Sequence, residues 1–332
     1  MTALHNMTKS IFHTIKLWLA CATVLTAGTG CRHHEIGYPS RDMTEMHLVF
    51  EDDSERRDSI DGLTVTLFPR ESDLNRWVYE LAGATGGDVA VPCGDYDMLA
   101  YDNNPGNIFF GSTDRFDTYT ATTRQVSSPA RTGSGNDTHE APDPIYSAIA
   151  TEINLTPCCV DYVAWSGGKP LKRKDCVYRV VRSRLRLITP RVTCIIEKLG
   201  ETAGIGAAQG MIGGVYDSIL VAYGEPTGNE VEMTFGLGVA DSSSVTGTFN
   251  IFGRVNGEPN MLYLYLTMKN GETRMFKADV TALMDAAADP MDITIRLDGP
   301  DLSQSDPSGP EEPGTFDPTV STWQEVIINI TN

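Results

Sequence analysis

Cys31 is the residue whose surroundings point most directly to a reaction. Lys9 and Lys16 give a positive lead, Leu17 to Ala27 form an apolar run, and Ala27, Gly28, Thr29 and Gly30 are small. That order reads as a secretory signal cut between Gly30 and Cys31, with a diacylglycerol added to the Cys31 thiol. The apolar run falls short of the ~20 residues a spanning helix needs. Gly28 stands where such sites carry an aliphatic residue, and Cys21 follows only four apolar residues. The alternative is an ordinary cleaved signal that leaves Cys31 as a plain N-terminal thiol.

The remaining reactive side chains are sparse. Beyond Cys21 and Cys31 there are Cys93, Cys158, Cys159, Cys176 and Cys194, an odd number, so pairing stays open and at least one thiol is left over. No histidines flank the adjacent Cys158 and Cys159 at a metal-ligand spacing. Only His47 and His139 lie clear of the signal and the segment after it, and no G-x-S-x-G occurs. Cys93, after Pro92, has no identifiable base. Gly204-Ile205-Gly206-Ala207-Ala208-Gln209-Gly210 resembles a dinucleotide loop, but its third glycine falls one residue late for G-x-G-x-x-G and no βαβ unit frames it. It reads instead as a flexible loop between strands. Asp95 and Asp97, on alternate positions of a strand, could serve a glycosidase or a calcium ion, although such pairs are common on solvated faces. Trp77, Tyr96, Tyr101 and Trp165 could stack on sugars or pack a core. No catalytic set, cofactor or metal site is expected.

The elements that must carry these residues are strands. Met46–Phe50, Leu63–Leu67, Trp77–Leu81, Val89–Val91, Tyr96–Tyr101, Ile108–Phe110 and Phe116–Ala121 recur at about ten-residue spacing with turn residues between them. Strict alternation places Leu63, Val65 and Leu67 toward a core and Thr64 and Thr66 outward. Further strands follow at 145–155, 160–165, 176–188, 192–199, 211–223, 231–239, 246–255, 262–268, 273–277 and 293–297. Asn270-Gly271 supplies the positive φ values of a type I′ hairpin turn. One short helix is expected, capped by Asp279, running from Val280 to Ala288 and stopped by Asp289-Pro290. The fold class is therefore all-β: two tandem antiparallel Greek-key sandwiches with one short helix.

The chain divides as 1–30 signal, 31–44 tether, 45–122 first sandwich, 123–144 linker, 145–298 second sandwich, 299–319 Pro-, Asp- and Gly-rich linker, and 320–332 terminal strand. Trp323, Val326, Ile328 and Ile330 are the expected inward residues of that strand. An apolar strand behind a flexible lead must pair with a sheet edge, its own or a partner's. Net charge is -18 over 332 residues. Two lysines and no acids lie within 1–30, which leaves 24 basic against 44 acidic residues. That balance excludes a nucleic-acid face, which must neutralise phosphates, and excludes charge-driven binding to anionic lipid.

Pro92-Cys93-Gly94-Asp95-Tyr96-Asp97-Met98-Leu99-Ala100-Tyr101-Asp102 combines a Pro-x-Gly-x-Tyr turn, an apolar strand and a second turn. With Cys31 before it, Asp279-Val280-Thr281 leading a short helix, and a closing Phe316-Asp317-Pro318-Thr319-Val320 with Trp323 and Val326, the chain resembles the fimbrillin-like lipoproteins of Bacteroidales-type bacteria. These comprise the minor-subunit and anchor branch and its uncharacterised relatives. The resemblance implies tandem transthyretin-like sandwiches, a lipid anchor in the outer membrane on its periplasmic or outer face, and fimbrial subunits as partners joined by strand addition. The chain departs from the shaft pattern, since only Arg56-Arg57 offers even a weak processing site. A retained lipid fits an anchor better than a shaft subunit. The alternative is a glycan-binding surface lipoprotein without catalytic activity.

Overall fold

The computed structural model describes residues 43–51, 60–71, 75–103, 106–128, 135–156, 179–200, 202–300 and 302, and the backbone of 324–326. The chain divides into two compact units, Met1–Asp42 and Met43–Asn332. Every described residue lies in the second. Among the described residues no helix is long and apolar enough to cross a membrane.

Five strands open the unit: β1 (Met43–Glu51), β2 (Gly62–Pro69), β3 (Trp77–Ala82), β4 (Gly86–Pro92) and β5 (Gly94–Asp102). They do not close a sandwich alone. β9 (Tyr146–Leu155), β10 (Arg179–Arg184) and β11 (Arg186–Leu187) complete two facing sheets, in the orders β10-β1-β4 and β11-β9-β5-β2-β3. The period-2 pattern does the positioning. Met46, Leu48 and Phe50 from one sheet meet Leu63, Val65, Leu67, Tyr96 and Met98 from the other, all at 0–1% exposure. Burying each such side chain contributes about 1.5–3 kcal/mol.

The second body is built on β6 (Ile108–Gly111), β7 (Thr120–Thr123), β8 (Thr138–Glu140), β12 (Arg191–Glu197), β13 (Ile205–Leu220), β14 (Glu225–Val239), β15 (Val245–Asn250), β16 (Met261–Met268), β17 (Thr273–Asp279), α1 (Thr281–Asp285), β18 (Asp292–Asp298) and β19 (Gln324–Val326). The path runs β18-β12-β15-β14-β13-β16-β17-β19, with β7 on β13, β8 on β14 and β6 on β7. Its core joins Val192, Cys194 and Ile196 on β12 and Ile293, Ile295 and Leu297 on β18 to Ile212, Met233, Leu264 and Phe276.

The all-β, sandwich-forming expectation holds, and several local expectations change. Strand pairing does not follow the expected division at 123–144. β7, with β6 paired to it, comes from before it yet joins β13, whereas β9 and β10 come from after it and pair with β5 and β1. β8 lies inside the supposed linker and runs parallel to β14. Composition marks where polar residues collect; it carries no record of which distant edge a strand will meet. Thr64 and Thr66 are buried rather than outward. The outer face of their sheet carries Phe68, Leu99 and Tyr101 into the second core. Thr64 keeps its hydroxyl satisfied there by donating to the Glu80 carboxylate at 2.9 Å.

Within the glycine run at 204–210, Ile205 to Gly210 are strand, not loop. Only Thr202–Gly204 forms a 3-10 turn before β13 begins. A Cβ at Gly210 would collide with the Phe235 ring, which lies across this point of β13. Helix α1 is shorter than expected and starts after Val280. The Asp279 carboxylate accepts the Thr281 N–H at 2.9 Å and the Thr281 hydroxyl at 2.5 Å. The β16–β17 turn is not type I′. Gly271 alone among Lys269, Asn270, Gly271 and Glu272 has positive φ (+89°), and its N–H donates to the Met268 carbonyl at 2.9 Å. This is an ordinary turn closed by a left-handed glycine.

Candidate functional site

The terminal strand and the edge that receives it form the candidate site. β17 is held on one side by seven register pairs to β16, from Met261↔Asp279 to Thr267↔Thr273. Phe276 points into the main core, and alternation sends Met275 to the opposite face. There Met275 packs with Met211, Tyr263 and Tyr265, and Met261 lies against them. These four core members are 0–6% exposed. The Tyr265 hydroxyl is buried with no hydrogen-bond partner among the described residues. Burial, and then the nearby Glu232 carboxylate, raise the ionisation of both phenols above the ordinary value, so they stay neutral.

The free edge of β17 takes β19. The pairing is antiparallel, with Met275↔Val326, Phe276↔Glu325 and Lys277↔Gln324. Val326 is thus the one expected terminal-strand residue within the described chain, at the register position of Met275. Trp323, Ile328 and Ile330 lie outside the described residues. So do Gly30 and Cys31, and Cys158, Cys159 and Cys176.

The other residues with chemical potential are in structural use. Asp97 accepts the Glu152 N–H at 3.0 Å, at a bulge of β9 where Glu152 has φ +57°. Arg70 sits 3.4 Å from the same carboxylate. Asp95 accepts from the Asn154 amide at 2.6 Å. The expected same-face pair is therefore engaged with β9, and no group of three or more metal-ligating side chains occurs among the described residues. His47 contacts Asp88 at 2.8 Å, and the His139 ring contacts the Thr123 carbonyl at 3.1 Å. The Cys194 thiol is fully buried on β12, and burial pushes it up to about 12, which removes it as a nucleophile at neutral pH. Cys93 is half-buried in the turn between β4 and β5. Trp77 and Tyr79 lie half-buried against the first core, while Tyr96 and Tyr101 are buried. Sequence patterning missed the Met-Tyr face of β13, β16 and β17, because the face has no charge contrast. The alternation of Met261, Tyr263 and Tyr265 with Leu262, Leu264 and Leu266 was its one visible sign.

This arrangement defines an all-β, sandwich-forming protein whose terminal strand pairs with a sheet edge. The chain belongs to the family described as Domain of unknown function (DUF5119), which matches residues 30–236. No curated protein matches it. A solved structure of a candidate adhesin from Bacteroides ovatus shares the fold at TM-score 0.55 and 17% identity, over 82% of this chain and 99% of that one. The fimbrial anchor protein Mfa2 from Porphyromonas gingivalis aligns at TM-score 0.46 and 15% identity, over 77% and 90%. A second candidate adhesin from Bacteroides ovatus aligns at 0.49 and 11%, over 77% and 88%.

Proposed function

We propose that this protein is a lipid-anchored subunit of a fimbria-like surface assembly, an anchor or minor component that works by strand contacts and performs no catalysis. Cys31 would hold it to the outer membrane, and other fimbrial subunits would be its partners. The observation that carries this reading is the three-residue pairing of β19 on β17, reached through the Pro-, Asp- and Gly-rich stretch 299–319. A strand added at a sheet edge can be exchanged for the strand of another subunit, since strand addition draws its affinity from main-chain hydrogen bonds that any extended segment can supply. The adhesin description of the Bacteroides ovatus structure that shares this fold supports a surface role.

A cysteine pair tests it. Lys277 and Gln324 stand opposite each other. Lys277→Cys with Gln324→Cys should cross-link within one chain when the protein is purified alone. In cells that assemble the native surface structures it should give an oxidation-dependent ladder of higher species, absent from either single variant. Intrachain cross-linking alone in both settings would overturn strand exchange.

A further inference from the structure

Where β14 and β15 part, the structure holds a cleft of about 510 Å³. The two strands pair only at Gly238↔Thr246 and Val239↔Val245. β14 then follows β13 while β15 follows β12. Phe235 and Phe249 fill the fork, buried and stacked with ring centroids 3.7 Å apart.

Residues 140–144 line the cleft and are firmly tied. The Ala141 N–H donates to the Thr234 carbonyl at 3.0 Å, and the Asn250 amide donates to the Pro142 carbonyl at 3.2 Å. Asn107 clamps the same stretch, donating to the Ala141 carbonyl at 2.8 Å and accepting the Asp143 N–H at 2.9 Å. Each of these two amides spends one N–H on the stretch, and the lining also carries acceptors. The Glu140 carboxylate and the Asn250 side-chain oxygen line the cleft with no partner among the described residues. Asp143 commits only one oxygen, to the Asn107 N–H at 3.2 Å. Arg191, the cation of the lining, is spent on a two-point pair with Asp292.

We infer that this cleft binds a neutral or amino-bearing saccharide. Its volume falls within the roughly 300–1,000 Å³ of small-molecule sites. Its unused acceptors call for a ligand rich in hydroxyl or amino donors. Two carboxylates without a free cation, on a chain of net charge -18, reject uronic and other anionic sugars. The Phe235–Phe249 floor and Pro144 offer apolar contact for the C–H faces of a sugar ring. The inference does not depend on the strand-exchange reading, which rests on β17 and β19 at the end of the sheet order.

Gly236 gives the decisive variant. It lines the cleft and is exposed, and a Cβ there would meet no atom within 4 Å. Gly236→Leu therefore puts a bulky side chain on the cleft lining with no clash at its Cβ. The full chain is titrated with linear tri- and tetrasaccharides of hexose, N-acetylhexosamine and uronic acid units, followed by saturation-transfer NMR. The expected result is binding of at least one neutral or N-acetylated saccharide and of no uronic oligomer. Gly236→Leu should weaken that binding at least tenfold with an unchanged melting temperature, and Glu140→Ala several-fold. Silence across the neutral panel, a preference for uronic oligomers, or binding untouched by Gly236→Leu would each overturn the inference.

Discussion

Changing Cys31 to serine will move this protein from the membrane pellet to the soluble fraction. The expected effect is all-or-none because the lipid is the one strong membrane contact the proposal contains. Each buried methylene contributes ~0.8 kcal/mol, a single acyl chain holds a protein only marginally, and two chains hold it stably. Among the described residues no helix can cross a bilayer, and a net charge of -18 repels anionic headgroups rather than seeking them. Fractionation of wild type and Cys31→Ser after an alkaline wash checks this. A serine variant that stays in the washed pellet would mean attachment by another route.

Asp102→Asn will stabilise the fold at neutral pH. Asp102 ends β5 where the two bodies meet, and its carboxylate accepts the Tyr146 N–H at 2.9 Å. Burial raises it from 3.8 to about 6. The Tyr146 N–H works against the rise, and the charge of Asp143 adds to it. Because the folded-state value lies above the ordinary one, folding favours the protonated acid. That contribution is fully present below about pH 4 and is lost as pH rises through about 6. A shift of two units corresponds to roughly 3 kcal/mol. Asparagine keeps the acceptor oxygen and removes the charge. Urea melts should therefore show Asp102→Asn more stable than wild type by about 1–3 kcal/mol at pH 7.5, shrinking toward zero near pH 4. An equal change at both pH values, or a loss at pH 7.5, contradicts this account.

Strand identity was legible in the sequence wherever burial follows the pleat. Ile293, Ile295 and Leu297 alternate with Asp292, Thr294, Arg296 and Asp298, and β18 shows that burial pattern. Legibility failed where both faces are covered. Alternation at 63–67 marked a two-faced strand, but Thr64 and Thr66 are buried because a second core lies beyond them. It failed again where glycine serves a neighbour: Gly210 yields room to the Phe235 ring, a fact that belongs to β14 and not to the local motif. Pairings such as Met46↔Arg179 join residues far apart in the chain and leave no local trace. At the candidate site, the terminal strand could be read from its isolation behind a polar lead, whereas its partner edge on β17 could not. The β14–β15 cleft was invisible, since it exists only because two strands diverge after two residue pairs.

The most direct test of lipid anchoring within a strand-joined assembly is mass spectrometry of the mature N-terminus from the native membrane fraction, with co-purifying proteins identified in the same sample. The account predicts an N-terminal peptide beginning at lipid-modified Cys31, recovered together with a fimbrillin-like partner. An unmodified N-terminus, or one that begins elsewhere, would contradict it.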